Sequence, residues 1–157
     1  MSHVIRPILQ SLLIADRVYT DTSGKKIIAG TFQQLMFFRG AAFSDLARDK
    51  RVQAGGFQAG SPFLYACLTD IDGEQDFEVR YVDLADEAIV FGATFRVRSM
   101  DRLQNCEVSL PLPTLPTTKP GLFALEVLWN LQPLGSYRIQ VVEGVIEEKS
   151  NDEPTAN

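Results

Sequence analysis

Phe77, Val79 and Tyr81 alternate with Glu78 and Arg80. After a short acidic turn, Ile89, Phe91, Ala93, Phe95 and Val97 alternate with Val90, Gly92, Thr94, Arg96 and Arg98. A period of two sustained from Asp76 to Arg98 predicts strands with one buried face, most simply an antiparallel hairpin. Similar runs recur along the chain. A first hairpin is expected from Ile8 to Tyr19 and from Lys26 to Phe37, around the polar turn Asp21-Thr22-Ser23-Gly24-Lys25, where Gly24 can take a positive φ. Pro62 to Thr69 is apolar on both parities, as in a central strand. Asp70-Ile71-Asp72-Gly73-Glu74 then turns into the 76–98 hairpin, with Asp72-Gly73 a type I′ signal.

Further strands are expected near Asn105 to Leu110, from Phe123 to Trp129, through Tyr137, Ile139 and Val141 after a Pro133-Leu134-Gly135 turn, and around Val145 to Glu147. Four prolines between Pro111 and Pro120 predict a stiff extended connection in place of a paired strand, and Pro113 to Pro116 fits PxxP only loosely. Tyr137, just after a glycine turn at the start of a late strand, hints at the tyrosine corner of Greek-key sandwiches. The only tryptophan, Trp129, falls on an alternating strand and is expected in the core. Together these elements predict an all-β fold: a single antiparallel β-sandwich of about eight or nine strands, Greek-key or immunoglobulin/C2-like. It would span residues 1–148, with a disordered polar tail at 149–157.

Two stretches interrupt the pattern. Between Arg39 and Gly60 no period of two holds. The segment ends in Gly55-Gly56-Phe57-Gln58-Ala59-Gly60, and unpatterned connections this long are often functional or mobile. Its glycines lack the Gly-Lys-Ser/Thr and the strand-then-helix setting of a phosphate loop. Asp16 shares parity with Leu12, Ile14 and Val18 and is expected to aim inward. There its carboxylate would accept backbone N–H groups at a bend, with a site carboxylate as the competing reading.

The chain of 157 residues, 45% hydrophobic and 22% charged, is one globular domain in size and composition. Its net charge of −5 disfavours nucleic acid and anionic membranes as partners, since phosphate binding draws on a cationic surface. Cys67 and Cys106 have neither CxxC spacing nor a disulfide framework, and are expected as half-buried strand residues that could bridge only if their strands faced each other. Ile8 to Ala15 after Arg6 resembles a signal segment, but Gln10 and Ser11 interrupt it and Asp16-Arg17 stand where a small-residue cleavage site belongs. No apolar run reaches the roughly 18–20 residues of a membrane span. A reducing, cytoplasmic setting is the expectation.

Catalytic repertoire is sparse. The only histidine is His3, near the terminus, which disfavours Ser-His-Asp, Cys-His and histidine-based zinc chemistry. No Gly-x-Ser-x-Gly, Walker or dinucleotide fingerprint is present. Asp70, Asp72, Glu74 and Asp76 recur at every second position, yet an EF-hand would need glycine sixth and glutamate twelfth, where Gly73 is fourth and Tyr81 twelfth. A loop calcium site shared with Asp83, Asp86 and Glu87 is the remaining metal reading. The residues thus designate no catalytic, cofactor-binding or metal site.

Ile14-Ala15-Asp16-Arg17-Val18-Tyr19, followed by Thr22-Ser23-Gly24-Lys25-Lys26-Ile27-Ile28-Ala29-Gly30-Thr31-Phe32, resembles the N-terminal signature of a family of small uncharacterised bacterial proteins. In that family an A-D-x-V strand precedes a G-K-x-x-x-x-G-x-F strand. Leu128-Trp129-Asn130 and Gly135-Ser136-Tyr137-Arg138-Ile139 resemble its C-terminal strand, and the likeness is greatest to planctomycete-type members. The resemblance implies a cytoplasmic β-sandwich and supplies no site residues. It makes Gly24 and Gly30 a turn glycine and a close-approach glycine. The functional expectation is a non-catalytic binding or adaptor module acting on another protein, with the 39–60 segment as its contact. The alternatives are a self-assembling structural subunit and a metal-assisted hydrolase using acidic turn residues.

Overall fold

The computed structural model describes residues 5–37, 61–115 and 119–144. Within them nine strands form two packed sheets: β1 (Ile8–Thr20), β2 (Lys26–Thr31), β3 (Gln34–Phe37), β4 (Phe63–Thr69), β5 (Gly73–Asp83), β6 (Ala88–Ser99), β7 (Cys106–Pro111), β8 (Gly121–Trp129) and β9 (Gln132–Glu143). The sheet orders are β2-β1-β4-β7 and β3-β9-β8-β5-β6. β1, β2, β4 and β7 thus share one sheet, and β3, β5, β6, β8 and β9 share the other, the arrangement of an all-β sandwich. The fold expected from alternation is therefore the fold observed, except that the short β3 runs parallel to β9. The 39–60 segment, the Val145–Glu147 strand and the 149–157 tail lie outside the described residues.

Alternation places the core as expected on β4, β5, β8 and β9, whereas of Ile89, Phe91, Ala93, Phe95 and Val97 on β6, an edge strand, only Val97 is buried. Ile14, Leu64, Ala66 and Leu68 face Phe77, Val79, Tyr81, Leu125, Val127, Ile139 and Val141, all buried. Each such large side chain contributes roughly 1.5–3 kcal/mol by leaving water. Trp129 packs half-buried against this cluster. Three buried residues come from connections: Ile71 closes the core between β4 and β5, and Leu112 and Leu115 anchor the proline-rich crossover. Leu112 also donates its N–H to the Pro62 carbonyl at 2.8 Å.

Four expectations are corrected. Lys26 to Phe37 is two strands in place of one, because the chain leaves the four-stranded sheet at Phe32-Gln33 and joins the five-stranded sheet as β3. The crossing is pinned by Tyr137 Oη, which donates to the Phe32 carbonyl at 2.9 Å, and by Gln140 N–H, which donates to the Gln33 carbonyl at 2.8 Å. Tyr137 is consequently no tyrosine corner, whose hydroxyl bonds a few residues upstream; this one ties positions 105 residues apart. Asp72-Gly73 makes no type I′ hairpin. β4 and β5 belong to different sheets, and of that dipeptide only Gly73 has a positive φ, at 70°. Finally, the β8–β9 turn is Asn130-Leu131, with φ of 48° and 63°, in place of Pro133-Leu134-Gly135. Pro133 pairs with Leu128 inside β9. It is tolerated because, among the described residues, β3 flanks β9 only from Gln140 onward, so no strand on that side calls for an N–H at Pro133.

Candidate interaction surface

Strand lengths create the most distinctive surface. β1 has thirteen residues, but β4 flanks it only as far as the Ala15–Phe63 pair. Beyond that, Arg17 pairs with Ala29, Val18 with Ile28, Tyr19 with Ile27 and Thr20 with Lys26. The two strands therefore leave the sandwich as a ribbon, and its five residues 16–20 reach about 17 Å at strand rise.

The ribbon is braced at both ends. At its tip, Asp21 Oδ1 accepts the Ser23 N–H (2.8 Å), the Ser23 hydroxyl (2.7 Å) and the Lys25 N–H (2.9 Å). These bonds, the Ser23 hydroxyl first, hold the Asp21 carboxyl below its ordinary range. Gly24 takes φ of 85° there, the turn role expected of it. At its base Gly30 takes φ of 71°, and a Cβ at that position would run into the Asp16 carboxylate. Gly30 is a close-approach glycine, the role expected of it.

Asp16 itself departs from expectation. It keeps the parity of Ile14, but it lies exposed because the face it shares with Ile14 has run past the end of the sandwich. Among the described residues no backbone N–H holds its carboxylate, and no other titratable side chain joins it as a site.

One face of the ribbon carries Arg17, Tyr19, Ile27 and Ala29. Tyr19 is 53% and Ile27 37% exposed, an aromatic–β-branched cross-strand pair facing solvent. On the other face Lys26 Nζ donates to Thr20 Oγ1 at 2.8 Å. Tyrosine and arginine around an apolar neighbour are the residue types that carry binding energy at protein interfaces. A braced ribbon loses little conformational entropy when a partner docks. Sequence reasoning placed Tyr19 and Ile27 in a hairpin but missed their exposure; the only available signal was that the first arm is unusually long.

The other candidate residues do not converge. Asp70 lies 3.9 Å from Arg102, while Glu74 (2.9 Å) and Asp76 (2.6 Å) both hold Arg96. Asp83 sits at the far end of β5, about 30 Å from Glu74 and about 23 Å from Asp76 at strand rise, where it pairs with Lys119 at 2.5 Å and accepts the Ala85 N–H. Lys119 and then that N–H hold the Asp83 carboxyl below its ordinary range. Among the described residues no three His, Cys, Asp or Glu side chains gather as metal ligands.

Cys67 and Cys106 lie on neighbouring strands, but Cys67 is paired with Glu107 and Cys106 with Leu68. The one-residue offset sends the two thiols to opposite faces, and both are free and half-buried. Burial, then Glu107, push the Cys67 thiol up, away from the thiolate a nucleophile needs. Tyr65 donates to Glu107 Oε1 at 2.5 Å across the same sheet. A shallow recess of about 340 Å³ between Gln33, Gln34, Leu122, Arg138 and Gln140 offers amides and one guanidinium but no acid–base pair. No helix among the described residues is long and apolar enough to cross a membrane.

Comparison with protein-family models and with curated proteins finds no match.

Proposed function

We propose that the protein is a non-catalytic binding module that docks another protein on the exposed face of the β1–β2 ribbon. The observation that carries this reading is the braced ribbon with Arg17, Tyr19 and Ile27 on its open face. The same ribbon holds the A-D-x-V and G-K-x-x-x-x-G-x-F residues, so membership of that bacterial family forms part of the reading. Two free, half-buried thiols accord with a reducing cytoplasm, and the net charge of −5 accords with a partner other than nucleic acid or an anionic membrane.

The test is affinity capture from the source organism with two baits, the unaltered chain and Tyr19→Ala/Ile27→Ala. A protein held by the first and lost from the second supports the reading. A protein held equally by both places the contact elsewhere on the molecule.

A further inference from the structure

The three most exposed large apolar side chains among the described residues are Met100 (86%), Leu103 (79%) and Leu131 (76%). All three stand at one end of the sandwich. Met100 and Leu103 lie on the β6–β7 loop, which leaves β6 where Ser99 pairs with Gly73 at the start of β5. Leu131 lies in the β8–β9 turn, and β8 runs antiparallel to β5, so that turn points to the same end. β1 begins there too. Ile8, also exposed, pairs with Thr69 at the end of β4, and only residues 70–72 separate β4 from β5. The ribbon tip is at the opposite end, where β1 finishes.

The β6–β7 loop is braced. Ser99 Oγ donates to the Asp101 carbonyl at 2.7 Å, Leu103 N–H to Asp101 Oδ1 at 2.9 Å, and Asp70 N–H to the Arg102 carbonyl at 3.0 Å. Leu131 is strained. It has φ of 63° and follows Asn130 at 48°, in left-handed turn positions that suit asparagine and glycine. A leucine that bears this strain while burying little of itself points to a contact outside the chain.

Charges at this end come close to cancelling. Arg96 is held by Glu74 and Asp76, and Arg102 stands 3.9 Å from Asp70. Arg6 and Arg98 are matched in number by Asp72 and Asp101. Arg6 donates only to the Pro133 carbonyl and Arg98 only to Met100 Sδ among the described residues, so neither guanidinium has a carboxylate of its own.

We propose that this end docks on a zwitterionic phospholipid surface, with Met100, Leu103 and Leu131 entering the boundary between headgroups and acyl chains. Separate apolar tips favour lipid over protein. Met100 and Leu103 are split by Asp101 and Arg102, and Leu131 stands on another turn. A protein would need a shaped pocket for each, whereas a fluid bilayer receives each where it falls. Arg6 and Arg98 reach headgroup phosphates from the rim with their long side chains. The near-neutral rim selects zwitterionic over anionic headgroups, in keeping with the net charge of −5. The surface lies at the opposite end from the ribbon, so it stands or falls apart from the function proposed above.

Flotation of the full chain with phosphatidylcholine vesicles tests the proposal. The expected result is a chain that floats with the vesicles equally at low and high salt, and no more tightly when anionic phosphatidylserine is added to them. Met100→Ser/Leu103→Ser/Leu131→Asn replaces side chains that pack on little, so its urea midpoint should not fall, yet its partitioning should drop at least tenfold. Tyr19→Ala/Ile27→Ala should float like the unaltered chain. Amide exchange with vesicles present is a readout free of substitutions, with added protection at 99–104 and 130–131 and none at 17–28. A chain left behind by phosphatidylcholine, one that floats only with phosphatidylserine, or a triple variant that floats like the unaltered chain would overturn it. So would a chain that stays behind but dimerises through Met100, Leu103 and Leu131, which would make this end a contact between copies.

Discussion

Tyr81 is fully buried, its ring stacks on Phe123 at 5.2 Å and packs on Phe91 at 5.5 Å, and its hydroxyl has no hydrogen-bond partner among the described residues. A hydroxyl left unpaired in the interior costs about 1–3 kcal/mol of desolvation that no bond returns. Tyr81→Phe keeps both ring contacts and removes that cost. The void left by one oxygen, on the order of 10 Å³, subtracts only about 0.2 kcal/mol. The variant should therefore be more stable by about 1–2 kcal/mol. Tyr137→Phe is the control of opposite sign, because its hydroxyl bonds the Phe32 carbonyl at the sheet crossing. That variant should lose about 0.5–1.5 kcal/mol.

Urea unfolding with linear extrapolation measures both, and thermal scans should move by about 2–4 °C per kcal/mol for a chain of this size. The gain from Tyr81→Phe should widen at alkaline pH. Burial, and then the Asp83 charge, hold the Tyr81 proton above the ordinary value of 10.0, so the wild type loses stability as pH rises past that value and the variant does not. A Tyr81→Phe protein less stable by 1 kcal/mol or more would show that the hydroxyl has a partner, and the reasoning would fail.

Three further outcomes are expected. Leu131 is 76% exposed at φ of 63°, so Leu131→Gly relieves left-handed strain at little packing loss and should stabilise by about 0.5–1 kcal/mol in urea unfolding. Gly30→Ala should cost about 1–2 kcal/mol, since alanine resists its positive φ and its methyl displaces the Asp16 carboxylate; an unchanged midpoint contradicts this. Burial, then the hydrogen bond to Glu107, push Tyr65 from 10.0 to about 12. Its folded-state pKa is raised, so its contribution is intact below pH 10 and lost as pH climbs towards 12; Tyr65→Phe should flatten that limb of the stability curve.

Much of the fold was legible because alternation reports directly which side chains face the core. Phe77, Val79 and Tyr81 share one parity of their strand, and they are buried. What alternation does not encode is which sheet a strand joins. Lys26 to Phe37 keeps strand-like composition through the sheet crossing, and the bonds that fix the crossing come from Tyr137 and Gln140 on β9. Asp72-Gly73 looks like a hairpin locally, while β4 and β5 part company because each finds a better neighbour elsewhere. The surface was less legible for a related reason. Asp16 has the parity of Ile14, but whether that face is covered depends on where β4 ends. The openness of Tyr19 and Ile27 likewise follows from strands of unequal length, a relation between elements that no single stretch of sequence contains.

Site-specific photocrosslinking in cells of the source organism tests the ribbon most directly. A photoreactive side chain would replace Tyr19, Ile27 or, as control, Leu122, which is 40% exposed on the other sheet. The account predicts one discrete heterologous product from positions 19 and 27, absent from 122. Equal products at all three positions, or a product from 122 alone, would contradict it.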